Sequence, residues 1–147
     1  MKILVFSSVG GHFRQASEVI SGVGPGCEVH FVVNGTVYQT RNPAFYWYQV
    51  DGAGRNLKQS LVLMQCVFIF FKVRPDCFFS TGAAPAVWFV ALSRICGIKS
   101  IFLESWARQR SLSLTGKICK KLGCEVFVQN ADLARETECV FWNPFEN

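Results

Sequence analysis

Short apolar runs alternate along the chain with segments that carry a helical pattern. Lys2 to Phe6 is an apolar run that stops at a Ser/Gly loop, and His12 to Ser21 then places its apolar residues on one helical face. Cys27 to Val33 is a second apolar run, closed by Asn34 and Gly35. Apolar strands that alternate with helices predict an α/β fold with a parallel sheet covered on both faces.

The same alternation continues through the rest of the sequence. Further strands are predicted at Tyr46 to Val50, Asp76 to Ser80, Lys99 to Leu103, Glu125 to Val128 and Glu138 to Phe141. Further helices are predicted from Leu57 to Val73, from Pro85 to about Cys96, and from about Ser113 to Leu122. With 147 residues, 50% of them hydrophobic, one domain spanning residues 1–147 is expected.

The seven cysteines are odd in number, and no two of them are separated by two residues. This pattern indicates neither a zinc site nor a disulfide framework, and no metal or cofactor is predicted. Cys66 and Cys77 lie in apolar runs, where a free thiol packs as a small hydrophobic group. We therefore expect a reducing, cytosolic compartment, and the N-terminal apolar stretch is too short for a secretory signal.

Three loops follow the carboxyl ends of predicted strands, which is where parallel sheets place their binding sites. In the first, Ser7 to His12, the paired glycines Gly10 and Gly11 allow a ligand to approach the backbone closely. Amides at the start of the following helix can bind a phosphate. The third glycine of the dinucleotide-binding pattern is missing, and a tight turn with a helix-capping histidine explains the spacing equally well.

The other two loops carry small, hydroxyl-bearing and charged residues. Ser80 to Pro85 again leads from a strand into a helix, either as a ligand-binding loop or as a plain turn capped by Thr81. Glu104 to Ser111 contains one carboxylate, two arginines and several hydroxyl groups. The arginines can clamp a diphosphate, and solvated charges are the common alternative. The net charge of +5 favours an anionic partner such as a pyrophosphate or a lipid headgroup, or a simply soluble basic face.

The chain has two histidines in different settings. His30 lies within an apolar strand, where a hydrogen-bonded core histidine is expected. His12 follows the first strand, where it can act as a base near neutral pH or donate to a bound phosphate or hydroxyl. Its position makes His12 the better candidate for chemistry.

The segment from Leu61 to Phe71 is apolar on every helical face apart from Gln65, and it is flanked by basic residues. It is too short to span a bilayer, which takes roughly 20 residues. Burial on all sides is one explanation, and contact of one face with lipid is the other. We predict peripheral membrane attachment through this helix, with Leu61, Phe68, Phe70 and Phe71 as the contact residues.

Three motifs resemble a known family: SSVGGH at the start, STGAAPAV in the middle and ESWARQRSLSLTGK after it. That family includes the membrane-anchoring subunit of the eukaryotic dolichol-linked N-acetylglucosaminyltransferase and its bacterial counterparts of the PssD type in polysaccharide synthesis. The resemblance runs from about Met1 to Gln129. The family is in turn similar to the N-terminal half of MurG-type peptidoglycan transferases, which implies a Rossmann-like half of a GT-B glycosyltransferase.

The resemblance implies which residues form a site. His12 and Glu104 are the implied catalytic residues, with Arg108 beside Glu104 in the cleft. The implied acceptor- and phosphate-binding residues are Ser8, Gly10, Gly11, Thr81, Gly82, Ala83, Arg108 and Ser111.

The resemblance also implies partners. A two-domain transferase of this kind needs a second domain, so a separate catalytic chain is expected to carry the UDP-sugar site. The C-terminal aromatics Phe141, Trp142 and Phe145 are predicted to contact that chain, or alternatively to complete the core. The other predicted partners are a polyprenyl-pyrophosphate saccharide acceptor and the cytoplasmic face of a membrane, to which the chain would attach peripherally. No nucleic-acid partner is predicted.

The predicted function is therefore that of an acceptor-binding subunit in a sugar transfer from a UDP-sugar. A non-catalytic scaffold that recruits and activates the catalytic chain is the alternative. An ordinary nucleotide-binding Rossmann protein is disfavoured by the missing glycine pattern and by the lack of an acidic residue closing the second strand.

Overall fold

The structure is a computed structural model that describes residues 1–35, 45–50 and 58–144, with the side chains of residues 58 and 59 excepted. Its strands are β1 (Lys2–Ser8), β2 (Glu28–Asn34), β3 (Tyr46–Val50), β4 (Cys77–Ser80), β5 (Lys99–Leu103), β6 (Glu125–Val128) and β7 (Val140–Phe141). Its helices are α1 (Gly11–Ser21), α2 (Lys58–Val73), α3 (Ala86–Ile95), α4 (Leu114–Lys121) and α5 (Ala131–Thr137). The predicted helix start at Leu57 and the aromatic residue Phe145 lie outside the described residues.

The described strands form one parallel sheet in the order β3-β2-β1-β4-β5-β6-β7. The chain begins in the interior of the sheet with β1, proceeds outwards to β3, and returns to β4 on the other side of β1. This arrangement confirms the predicted α/β fold with a Rossmann-like parallel sheet. The predicted strands are present, most of them shifted by no more than one residue at either end.

Helix α5 is the one described helix that the sequence analysis does not predict. Asn130 caps its start, because the Asn130 side chain accepts a hydrogen bond from the Leu133 amide at 2.9 Å. At its other end, the Lys120 ammonium donates to the carbonyls of Thr137 and Glu138. The helix has seven residues and only two buried side chains, so its hydrophobic pattern is too short to predict a helix from the sequence.

The two faces of the sheet are covered unequally. Buried residues of α2, α3, α4 and α5 pack together against one face, and those of α1 pack against the other. On the α1 face, the inward residues of the far strands are Ile101 and Phe127, which are only half-buried, and Val140, which is exposed. Within the described ranges, no helix covers this face over β5, β6 and β7.

Helix α2 is buried on one side and exposed on the other. The buried side includes Cys66, Ile69 and Phe70, and Phe70 is only 2% exposed. This placement corrects the prediction of Phe70 as a membrane-contact residue, because its ring lies in the core. The other predicted residues remain on the exposed side, together with Met64, which the sequence analysis did not select. That side presents Leu61, Met64, Phe68 and Phe71.

His30 has the environment predicted for it. Its ring is buried, with Nε2 at 2.7 Å from the Glu28 carboxylate and Nδ1 at 3.2 Å from the Tyr48 hydroxyl. It also stacks on the Tyr46 ring. These contacts confirm His30 as a hydrogen-bonded core histidine.

Candidate functional site

The strand order places a crevice at the carboxyl ends of β1 and β4. The chain leaves β1 towards α1 on one face and leaves β4 towards α3 on the other. Loops that depart in opposite directions from neighbouring parallel strands leave a gap between them, and ligands of open α/β sheets bind there. The first two predicted loops border this gap.

The structure brings these two loops into direct contact. The Thr81 hydroxyl donates a hydrogen bond to the His12 carbonyl at 2.8 Å. The His12 ring lies so close to Gly82 that a Cβ atom at Gly82 would stand 2.8 Å from Cε1 and 2.9 Å from Nδ1. The β4–α3 loop therefore fixes both the backbone and the imidazole of His12.

Thr81 has a structural role in this contact. Its side chain is fully buried and its hydroxyl is engaged by the His12 carbonyl. The prediction that the Thr81 side chain binds the acceptor is thereby corrected, since no ligand can reach it directly. Thr81 instead holds the first loop against the second.

The backbone of the first loop is open. Gly10 has a φ of +86°, and neither Gly10 nor Gly11 has a neighbouring heavy atom within 4 Å of where a Cβ would be. No side chain caps the start of α1. The first amides of a helix lack intrahelical partners and favour an anion, so this start can accept a phosphate.

The second loop has a strained backbone. Gly82 and Ala83 both have positive φ angles, +144° and +77°. An alanine in the left-handed region costs roughly 1–2 kcal/mol, and such residues cluster at binding sites. The Gly82 amide donates to the buried Ser80 hydroxyl at 3.2 Å, which holds the turn from within the loop.

Glu104 does not occupy the position that its predicted catalytic role requires. Its side chain is only 2% exposed, and one carboxylate oxygen accepts from the Ser105 amide at 3.0 Å. The other oxygen accepts from the amide and hydroxyl of Ser113, both at 2.8 Å. A buried carboxylate with these partners cannot meet a substrate, which corrects the prediction. Glu104 ties the third loop to the start of α4.

A groove of about 770 Å³ lies beside His12, between α1 and the third loop. It is lined by Gly11, His12, Arg14, Gln15, Glu18, Ser105, Trp106, Ala107 and Asn143. Arg14, Gln15, Glu18 and Trp106 were not among the predicted site residues. Gln15 lies about one turn beyond His12 and Glu18 about one turn further, whereas Arg14 is only two residues beyond His12. The helical spacing of Gln15 and Glu18 was the available signal.

Arg108 and Ser111 are exposed, and they do not line the groove beside His12. They belong instead to a neighbouring hollow of about 400 Å³, lined by residues 107–111. The loop turns there, because the Arg108 amide donates to the Ser105 carbonyl at 2.9 Å. The two guanidiniums of the loop, Arg108 and Arg110, thus stand outside the crevice and face solvent.

The cysteines are free thiols, and the buried ones are held protonated. Burial raises the pKa of the Cys66 and Cys119 thiols to about 12 and that of the Cys124 thiol to about 11. A thiol is nucleophilic as its thiolate, so these three are unreactive near neutral pH. In the described part of the chain, no group of three His, Cys, Asp or Glu side chains is arranged to hold a metal ion.

The C-terminal aromatics that the structure describes are exposed at the edge strand β7. Phe141 and Trp142 both keep more than a third of their surface accessible. Trp142 packs edge-on against Phe127, with ring centroids 5.8 Å apart. Their exposure agrees with an interface more closely than with completion of the core, and contact with a partner chain stays a prediction.

Comparison with known proteins gives a family and a fold. The family described as "Oligosaccharide biosynthesis protein Alg14 like" matches residues 55–143, more than half of the chain. MurG from Acinetobacter baumannii has a similar structure, with a TM-score of 0.74 and 14% identity over 100% of this chain and 47% of that one. UDP-N-acetylglucosamine 2-epimerase from Rickettsia bellii gives a TM-score of 0.68 and 16% identity over 96% of this chain and 44% of that one.

The chain thus spans less than half of the length of these solved structures, and at such identities the likeness describes the fold. No curated protein gives a significant match to the sequence. Among the helices of residues 1–35 and 58–144, none is long and apolar enough to cross a bilayer.

Proposed function

Because the chain belongs to the family of Alg14-like oligosaccharide biosynthesis proteins, we propose that it is the acceptor-binding, membrane-associating subunit of a two-chain glycosyltransferase. The enzyme transfers a sugar from a UDP-sugar to a polyprenyl-pyrophosphate-linked saccharide. This chain holds the acceptor, and a partner chain carries the UDP-sugar.

The observation that carries the proposal is the contact between His12 and Gly82 at the carboxyl ends of β1 and β4. It joins an uncapped helix start, open glycine backbone and an imidazole within one crevice. The amides of Gly11 and His12 bind the pyrophosphate, since a helix start favours negative charge. The acceptor's sugar then lies beside the His12 ring.

In the reaction, an acceptor hydroxyl oxygen bonds to the anomeric carbon of the donor sugar as the bond from that carbon to the UDP oxygen breaks. His12 takes the hydroxyl proton, and UDP leaves with the negative charge. A positioned base contributes typically 10²- to 10⁴-fold to such a step. Glu104 and Thr81 act by holding the third and first loops in place.

The proposal includes peripheral attachment to the cytoplasmic face of a membrane through α2. Leu61, Met64, Phe68 and Phe71 recur at helical spacing and share the exposed side of the helix. The Lys72 ammonium lies 5.9 Å from the centre of the Phe68 ring, so a positive charge borders the apolar side. Apolar and basic groups together suit the boundary of an anionic bilayer.

The proposed surface for the partner chain is the edge at β7 and the adjoining α1 face of β5 and β6. Exposed Phe141 and Trp142 lie at that edge, and Trp142 and Val140 adjoin half-buried Phe127 on the α1 face, whereas Phe141 points to the other face. Aromatic and aliphatic groups left partly open on a sheet are typical of the centre of a protein interface.

A non-catalytic scaffold is the second candidate, and the burial of Glu104 favours it. Of the two predicted catalytic side chains, His12 alone remains at the crevice. In this version the chain binds the membrane and the partner, and all groups that act on the reacting atoms come from the partner chain.

Restoring sugar transfer in membranes of the native host tests the proposal. Cells lacking this chain receive wild type, His12→Ala or the exposed-site control Glu136→Ala, and incorporation of radiolabelled sugar from UDP-sugars into lipid extracts is measured. We expect wild type and the control to restore incorporation, and His12→Ala to reduce it by about 100-fold at equal membrane-bound protein. Full activity of His12→Ala would favour the scaffold, and no loss of incorporation on removing the chain would contradict both candidates.

A further inference from the structure

Trp106 is a large aromatic side chain left open to solvent. It is 67% exposed and forms part of one wall of the groove of about 770 Å³ beside His12. The third loop holds it there, because the neighbouring Glu104 is anchored through Ser105 and Ser113. A tryptophan held open beside a groove offers a ligand a broad aromatic surface, and its indole N–H offers a hydrogen-bond donor.

The groove's other wall is the polar face of α1. Arg14, Gln15 and Glu18 line it. Within the described part of the chain, their side chains make no hydrogen bond or ion pair, although Arg14 and Glu18 are one turn apart. The groove is therefore lined by one aromatic ring and by three polar side chains that together offer donors and acceptors.

This combination matches the chemistry of a pyranose ring. One face of such a ring presents C–H bonds, which pack on an aromatic plane, while its edge carries hydroxyls that need hydrogen-bond partners. Binding pockets for small molecules commonly combine aromatic surface with a few such polar groups, and a groove of this volume is in their usual size range.

We propose that this groove is the subsite for the saccharide of the acceptor, with Trp106 as the platform for a sugar ring and Arg14, Gln15 and Glu18 as the partners of its hydroxyls. The inference rests on the proposed function, because the pyrophosphate at the start of α1 brings the attached sugar into the adjoining groove. His12 lines the groove as well, so the sugar's hydroxyl reaches the imidazole.

Calorimetric titration of the purified chain with soluble probes tests the subsite. The probes are geranyl diphosphate, geranyl diphosphate carrying one glucose or one N-acetylglucosamine, and UDP. Wild type should bind one of the sugar-bearing probes roughly three- to tenfold more tightly than geranyl diphosphate, the ratio expected for one aromatic contact.

Trp106→Ala should remove that preference and leave the affinity for geranyl diphosphate unchanged. Trp106→Phe should keep most of the preference, because it retains an aromatic plane. Ile95→Ala, which alters an exposed apolar residue outside the groove, is the control and should behave as wild type.

The outcomes separate the two proposals. Equal binding of bare and sugar-bearing probes, or an equal loss of both in Trp106→Ala, overturns the sugar subsite while leaving the acceptor function in place. Tight binding of UDP that Trp106→Ala abolishes assigns Trp106 to a nucleotide base and also overturns the subsite. If wild type binds no diphosphate probe at all, the proposed function itself is overturned.

Discussion

The imidazole of His12 lies against the backbone of Gly82, with no room between them for a side chain: a Cβ at Gly82 would stand 2.8 Å from Cε1 of His12. The two residues are 70 positions apart in sequence and belong to loops after neighbouring strands. Position 82 requires a glycine for two reasons. A Cβ atom would overlap the His12 ring, and the φ of +144° is one that residues with a side chain rarely adopt. The orientation of His12 thus depends on the second loop.

Gly82→Ala should destabilise the protein by about 2–4 kcal/mol, from backbone strain together with overlap with the His12 ring. Gly97→Ala is the matched control, because Gly97 has a φ of +68° and open space around a Cβ. We expect it to cost only about 1–2 kcal/mol. Urea denaturation measures both free energies of unfolding.

The double variant His12→Ala/Gly82→Ala isolates the contact between the two residues. It should recover part of the loss seen in Gly82→Ala, with a coupling of at least about 0.5 kcal/mol. Strict additivity of the two single changes would show that the imidazole does not lie against Gly82.

Glu104→Gln should destabilise the protein by about 1.5–3 kcal/mol. The substitution places an amide NH₂ where the carboxylate now accepts hydrogen bonds from the amides of Ser105 and Ser113 and from the Ser113 hydroxyl, so buried donors lose an acceptor. Glu136→Gln on the exposed side of α5 is the control and should change stability by less than about 0.5 kcal/mol. Equal stability of the two variants would contradict the positioning role of Glu104.

The native protein should react with a maleimide at Cys96 first, because that thiol is exposed. Cys66, Cys119 and Cys124 should stay unlabelled at pH 8 until the protein is unfolded, since burial raises their pKa to about 11 or 12. Mass spectrometry of the labelled peptides measures the order, with Cys96→Ser as the control for the first site. Rapid labelling of Cys66 in the native state would contradict the packing of α2.

The same three buried thiols make the free energy of unfolding depend on pH. Their folded pKa values exceed the ordinary value of about 8.5, so the stability that they contribute is complete below that pH. It is lost as the pH rises from there towards 12, because the unfolded chain releases these protons first.

Phe68→Glu/Phe71→Glu should reduce binding to vesicles that contain anionic lipid by about tenfold or more, because two charges replace apolar contacts on the exposed side of α2. The control is Ile95→Glu/Leu114→Glu, which changes the same charge at residues that are 80% and 75% exposed elsewhere. Vesicle sedimentation measures the bound fraction. Unchanged binding of the α2 variant, or equal losses in both variants, would contradict attachment through α2.

Much of the architecture could be predicted from the sequence, because the apolar runs and the loops between them are local features. The loops at His12 and Gly82 meet as expected, since the carboxyl ends of parallel strands share one edge of the sheet. Helix α5 escaped prediction because its pattern is too short, with only Leu133 and Ala134 buried.

The side-chain roles depended on tertiary packing and were harder to predict. A glutamate after a strand has the same sequence signature whether it faces a ligand or, as Glu104 does, the start of a later helix. Phe70 and Phe71 are adjacent in sequence, yet one is in the core and the other is exposed, because the helix turns by about 100° per residue. The groove at Trp106 exists only because α1 and the third loop are brought together.

Amide chemical-shift mapping by NMR, during titration with a sugar-bearing geranyl diphosphate, tests whether the three loops form one binding site. We expect the perturbed amides to cluster at one edge of the sheet, at Gly10 to Phe13, Gly82 to Ala84 and Ser105 to Ala107. Perturbations centred instead on Gly97 and Gly123, at the amino ends of β5 and β6, would contradict it, as would saturating ligand with no localised shifts at all.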